Sequence, residues 1–148
     1  MTMKHRLSAS DRGFRREFEA CRFPPAEFDH RAHVRLAYVY LTENDTDAAH
    51  LLMQRALLAF LQHHGVDVSK YHETMTRAWI MAVRHFMGMS PGAESSEVFL
   101  EANPRMLDSR IMMTHYSAQV LFSDEARAKF VEPDLHPIPR YGPEDAER

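Results

Sequence analysis

Apolar residues recur along the chain at intervals of three and four, the period of a helix that buries one face. Phe14, Phe18 and Cys21 stand at i, i+4 and i+7, which predicts a first helix over residues 11–21 with Cys21 in the core. Arg22-Phe23-Pro24-Pro25 ends it, because proline lacks a donor and disfavours helix in the residue before it. A second helix is predicted from Phe28-Asp29 to about residue 41, with Asp29 as N-cap and Phe28 as a hydrophobic staple. His30, His33, Val34, Ala37 and Tyr40 or Leu41 share its apolar stripe. A third helix runs from residue 46 or 47 to about 63, with Gly65 as its C-cap residue. A fourth begins near Ser69, its expected N-cap, and runs to residue 87. Shorter helices are predicted over residues 97–102, 105–115, 118–122 and 124–131.

No stretch alternates with period two for long enough to form a strand, so the expected class is all-α, a compact helical bundle of six to eight helices. Beyond residue 131 the pattern stops. Pro133, Pro137, Pro139 and Pro143 enforce an extended Pro-rich C-terminal strap, with Leu135 and Ile138 tacking it to the surface. The expected organisation is a flexible N-terminus over residues 1–10, a single helical domain over 11–131 and an extended tail over 132–148, its last six residues disordered.

Composition narrows the function classes. At 148 residues and 45% hydrophobic the chain has enough apolar material for a real core, and no apolar run reaches membrane-spanning length. A formal charge of -3 argues against a general nucleic-acid binder. The single Cys21 excludes an intrachain disulfide and fits a reducing compartment, and the N-terminus lacks the apolar stretch of a signal peptide. A cytoplasmic location is therefore expected. There is no internal repeat, glycine-rich phosphate loop, CxxC pair or serine-nucleophile elbow. Ten methionines read as core filler, while ten histidines matter only if several converge.

The fourth helix offers such a convergence. His72, Thr76, Trp79, Val83 and Phe86 fall on one stripe, with Glu73 on the flank it shares with Arg77 and Ile80. Short connections make successive helices antiparallel neighbours, so the second and fourth run parallel and start at the same end of the bundle. His30, His33, His72 and Glu73 are then expected to face one cavity walled by Tyr71, Thr76, Trp79 and Tyr40.

Two imidazoles at i and i+3, a third His and a carboxylate form a nitrogen and oxygen set suited to a divalent transition metal, Zn, Fe or Mn. An open coordination position would support a metal-dependent hydrolase or oxygenase. Without a metal, His72 and Glu73 form a base and its partner, with Tyr71 supplying a proton. The paired helix N-termini also suit a small anionic ligand. The bland alternative is a structural or interaction domain whose histidines only satisfy buried donors and acceptors. His63 and His64 read as partners of a helix dipole, His115 as a cap, and His5, His50, His85 and His136 as surface residues.

The segments Phe28-x-His30-x-x-His33 and Tyr71-His72-Glu73-Thr74-x-Thr76-x-x-Trp79 stand with Leu121-Phe122-Ser123-Asp124-Glu125-Ala126-Arg127 and Phe130-Val131-Glu132-Pro133-Asp134-Leu135. Together they resemble a family of small bacterial helical proteins without an assigned function. The resemblance covers residues 14 to 139 and implies that these segments belong together. It implies no activity, cofactor or substrate.

Overall fold

The computed structural model describes residues 4–139. Among them are seven α-helices: α1 (Ala9–Glu19), α2 (His30–Glu43), α3 (Thr46–His63), α4 (Glu73–Met89), α5 (Ser96–Ala102), α6 (Ala118–Leu121) and α7 (Asp124–Ala128). Four 3-10 turns, at Pro25–Glu27, Val68–Lys70, Pro104–Leu107 and Ser109–Thr114, complete the described regular structure, which contains no strand. The bundle is all-α, as the periodicity predicts. No described helix is long and apolar enough to cross a membrane.

The core forms around α2 and α4. In α2, Val34, Leu36, Ala37, Tyr38 and Val39 have no exposed surface, so this helix is enclosed on nearly every side. Trp79, Ile80 and Val83 of α4 pack into the same cluster, and Met53, Leu57 and Phe60 of α3 close one flank. Phe18 of α1 stacks on Phe60 with ring centroids 4.5 Å apart. Phe28 precedes the N-cap Asp29, whose side chain accepts from Ala32 N–H at 2.9 Å. The Phe28 ring meets His33 edge-on at 6.2 Å, the staple contact expected between the residue before the cap and the fourth residue of the helix.

The ends of the helices correct several sequence expectations. α1 begins before Asp11: Ser8 is the cap, its Oγ accepts from Asp11 N–H, and Asp11 accepts from Ser8 N–H in return. Asp11 is 1% exposed and also accepts from Ser96 N–H at 2.9 Å and from Arg35 Nε at 3.1 Å, so it joins α1 to α5 and α2. The helix stops at Glu19, leaving Cys21 outside it in the left-handed region at φ 60°. Cys21 is half-buried, and its thiol donates to the Ala59 carbonyl at 3.6 Å. Gly65 lies at φ 69°, as a C-cap position requires.

A single helix over 105–115 does not form. Asp108 interrupts it, its Oδ1 accepting from Arg110 N–H at 3.0 Å, and two 3-10 turns result. α7 ends at Ala128 because Thr74 of α4 draws the following chain across itself. Its Oγ1 donates to Lys129 O at 2.8 Å and accepts from Val131 N–H at 3.0 Å.

The described part of the strap is held mainly by polar contacts to residues 115–117. Leu135 N–H donates to His115 O at 2.9 Å, and Ser117 N–H donates to Asp134 Oδ1 at 2.9 Å. Ile138 is buried in the core, whereas Leu135 is 52% exposed and is no tack. Pro143 and the tail expected to be disordered lie outside the described residues, as do residues 1–3. His5 is no surface residue: Nε2 donates to Met87 O at 2.7 Å and Nδ1 accepts from Ala93 N–H at 3.2 Å.

Candidate functional site

A cavity of about 640 Å³ opens where the first turns of α2 and α4 meet the last turns of α3. The shared end predicted for the two helices is therefore real, since His30 and His33 line this cavity together with His72, Met75 and Thr76. Leu57, Phe60, Trp79, Met112 and Leu121 give it apolar walls. Tyr71 and Lys70 reach it from the segment leading into α4. Glu73 and Tyr40 are not among its lining residues.

The histidines face the cavity in very different chemical states, and His72 decides the matter. Ser69, the expected cap of α4, belongs instead to the Val68–Lys70 turn, where its N–H donates to Asp67 Oδ1 at 2.9 Å. The chain then extends through Tyr71, and α4 starts only at Glu73, with His72 itself as N-cap. Its Nδ1 accepts from Met75 N–H at 3.0 Å and its Nε2 donates to Leu121 O at 2.7 Å. An imidazole ligates a metal through an unprotonated nitrogen with a free lone pair. In His72 one nitrogen is capping a helix and the other carries the proton. Burial lowers its pKa, and the Arg127 charge lowers it further, which keeps it neutral.

His30 donates Nε2–H to Met106 O at 2.9 Å and packs edge-on against Trp79 at 4.6 Å. Its ring centroid lies 6.5 Å from that of His33. His33 has no hydrogen-bond partner among the described residues. Burial pushes its pKa down to about 4, with His30 beside it adding to the effect. A half-buried imidazole against Phe28 is cheaper to keep neutral than to charge. Thr76 is self-satisfied, its Oγ1 donating to His72 O at 2.8 Å.

Glu73 turns toward α3. Its carboxylate accepts from Tyr71 Oη–H at 2.5 Å and from His50 Nε2–H at 3.1 Å. His50 is 6% exposed, so its reading as a surface residue is corrected, and its Nδ1 is buried without a partner. Burial, with the Glu73 carboxylate adding to it, holds the Tyr71 hydroxyl well above the usual phenol range. Tyr40 is buried away from the cavity and donates to Glu19 Oε2 at 2.7 Å.

These positions overturn the metal reading. Among the described residues no group of three or more His, Cys, Asp or Glu side chains could hold a metal ion. Each expected ligand except His33 is already engaged elsewhere, and Glu73 is engaged on another side of α4. The divalent Zn, Fe or Mn site falls with it, and so does the histidine cluster that a metal-dependent hydrolase or oxygenase would need. The metal-free pair of His72 as base and Glu73 as partner also lacks its contact, because Glu73 bonds to His50 instead.

Three contributors escaped the sequence reading. Asp11 was visible as the second half of a Ser8-x-x-Asp11 capping box. His50 stands three residues before Met53 and seven before Leu57 on the buried face of α3, a periodic signal that a polar residue obscures. Met112, on the cavity wall, carries no local signal. The chain matches no family model, no curated protein and no solved structure, so the geometry of this cavity carries the functional reading.

Proposed function

We propose that the chain is a binding module for a small molecule with a largely apolar body, held without a metal. The observation that carries this reading is the cavity itself. Its volume of about 640 Å³ falls within the roughly 300–1,000 Å³ common to small-molecule sites. Aromatic, Met and Leu walls supply the apolar contact, and a few polar groups remain to fix orientation. Among those, His72 and Thr76 are already satisfied, whereas His33 has an imidazole to offer.

A second reading, a structural or interaction domain with buried polar clusters, draws on Asp11 with Arg35 and Ser96 and on Glu73 with His50 and Tyr71. Those clusters account for polar residues in the core. They leave the cavity unexplained.

The test uses Trp79, the only tryptophan and part of the cavity wall. Titration with dodecanol or with an anilinonaphthalene sulfonate dye should shift its emission saturably at one site. Val66→Phe at the half-buried cavity edge, which adds bulk and keeps Trp79 the only tryptophan, should weaken the shift while leaving the far-ultraviolet spectrum unchanged. If the folded protein binds neither compound saturably, the cavity reading is wrong and the structural one takes its place.

A further inference from the structure

We infer that the ligand is a monocarboxylic acid with an apolar body, whose carboxyl group meets His33 inside the cavity and is bound together with one proton. The inference rests on the small-molecule reading of the cavity and names its ligand class. Its ground is the inventory of polar and charged groups that line the cavity with His33. From the start of α2 come its N-cap Asp29, whose Oδ1 accepts from Ala32 N–H, and His30, which donates to Met106 O. From the start of α4 come Tyr71, tied to Glu73, and His72, which uses both ring nitrogens on backbone groups. The Ser109–Thr114 turn brings Arg110, ion-paired with Asp108 at 2.9 Å. The Val68–Lys70 turn brings Lys70, exposed and without an ion pair among the described residues. α3 and α6 contribute Leu57, Phe60 and Leu121, which carry no charge. His33 is thus the one imidazole there without a hydrogen-bond partner among the described residues.

The chemistry selects the head group. A half-buried neutral imidazole offers one donor, one acceptor and no net charge, so a lone anion placed beside it inside the cavity would lack a compensating charge. A phosphate dianion would need more cation than this cavity wall supplies. A carboxylate that arrives with one proton shares it with the imidazole. The pair carries no net charge, whichever partner holds the proton. The depressed pKa of His33 agrees with this: the ring stays neutral until an anion lies against it. No bond other than the one to that proton is made or broken, and solvent supplies the proton.

The experiment compares dodecanoate with dodecanol on the whole chain by calorimetry, in buffers of different ionisation enthalpy. Dodecanoate should bind with uptake of close to one proton at pH 7, and its affinity should fall roughly tenfold per pH unit between pH 5.5 and 7.5. Dodecanol should bind with no proton uptake. His33→Gln, which cannot take a proton, should weaken dodecanoate binding at pH 7 by roughly tenfold more than it weakens dodecanol binding. Proton uptake by the wild-type protein needs no variant, so a poorly folding His33→Gln leaves the idea exposed to refutation. Dodecanoate binding without proton uptake overturns the inference and leaves the cavity reading standing. So does loss of the acid preference in Lys70→Gln instead of His33→Gln, which would seat the head group at the mouth. Failure of both compounds to bind overturns the cavity reading as well.

Discussion

His33 and His72 show how one residue type takes two roles on the wall of one cavity. His72 is held by a backbone donor and a backbone acceptor, while His33 is held by packing alone. The consequence for stability follows from proton linkage. The His33 pKa is about 4 in the fold against an ordinary 6.5, and that of His72 is lowered as well. Above pH 6.5 both rings are neutral in the folded and unfolded chains, and they add no pH dependence. Between 6.5 and 4 the unfolded chain binds protons that the folded one refuses, so stability falls as pH falls. His33 alone should account for about 3 kcal/mol of loss across that window. Urea unfolding at pH 7, 5.5 and 4.5 checks this, with His33→Leu expected to flatten the slope. An unchanged slope in that variant would show that the imidazole is not buried as described.

At the scale of elements, the start of α4 organises the cavity. Glu73 follows the cap and contacts α3 through His50, while His72 bonds α6 through Leu121 O. One helix start thus holds two neighbours. His72→Ala removes the acceptor for Met75 N–H and leaves Leu121 O without its donor, a loss of about 1–2 kcal/mol. His72→Asn restores a good N-cap acceptor and should recover about half of that, because asparagine caps well but is too short to reach Leu121 O as the imidazole does. Thermal denaturation of the two variants separates the cap from the link to α6. Equal melting temperatures would mean that the cap contributes nothing.

Across the whole molecule, Asp11 is the clearest single joint. It accepts from Ser8, Ser96 and Arg35, and those hydrogen bonds together with the Arg35 ion pair lower its pKa despite its burial. Asp11→Ala strips the N-cap partner of α1, leaves Ser96 N–H without an acceptor and unpairs a largely buried guanidinium. The expected cost is about 3 kcal/mol, toward the lower end of the range for a broken buried pair because Arg35 retains some solvent contact. Chemical denaturation should show that loss, and Asp11→Asn should show a smaller one. A cost below about 0.5 kcal/mol, the level of an ordinary surface substitution, would remove Asp11 from this role.

Local pattern was enough for the class, for the four long helices and for the shared end where α2 and α4 begin. Those depend on apolar periodicity, on prolines and on the Asp29 cap, all of which act within a few residues. The sequence by itself also picked out Tyr71, His72, Thr76, Trp79, His30 and His33 as neighbours of one cavity, because short links leave little freedom in how successive helices pack. It did not determine what those side chains bond to. Whether His72 ligates, caps or titrates depends on Leu121, forty-nine residues later, and on where the helix starts to within a residue or two. Adjacency to His72 in the chain points Glu73 toward the cavity, but His50 on α3 supplies a buried donor that captures its carboxylate on another side. A hydrogen bond is satisfied by whichever partner tertiary packing brings within about 3 Å, and no periodicity in the chain encodes that distance.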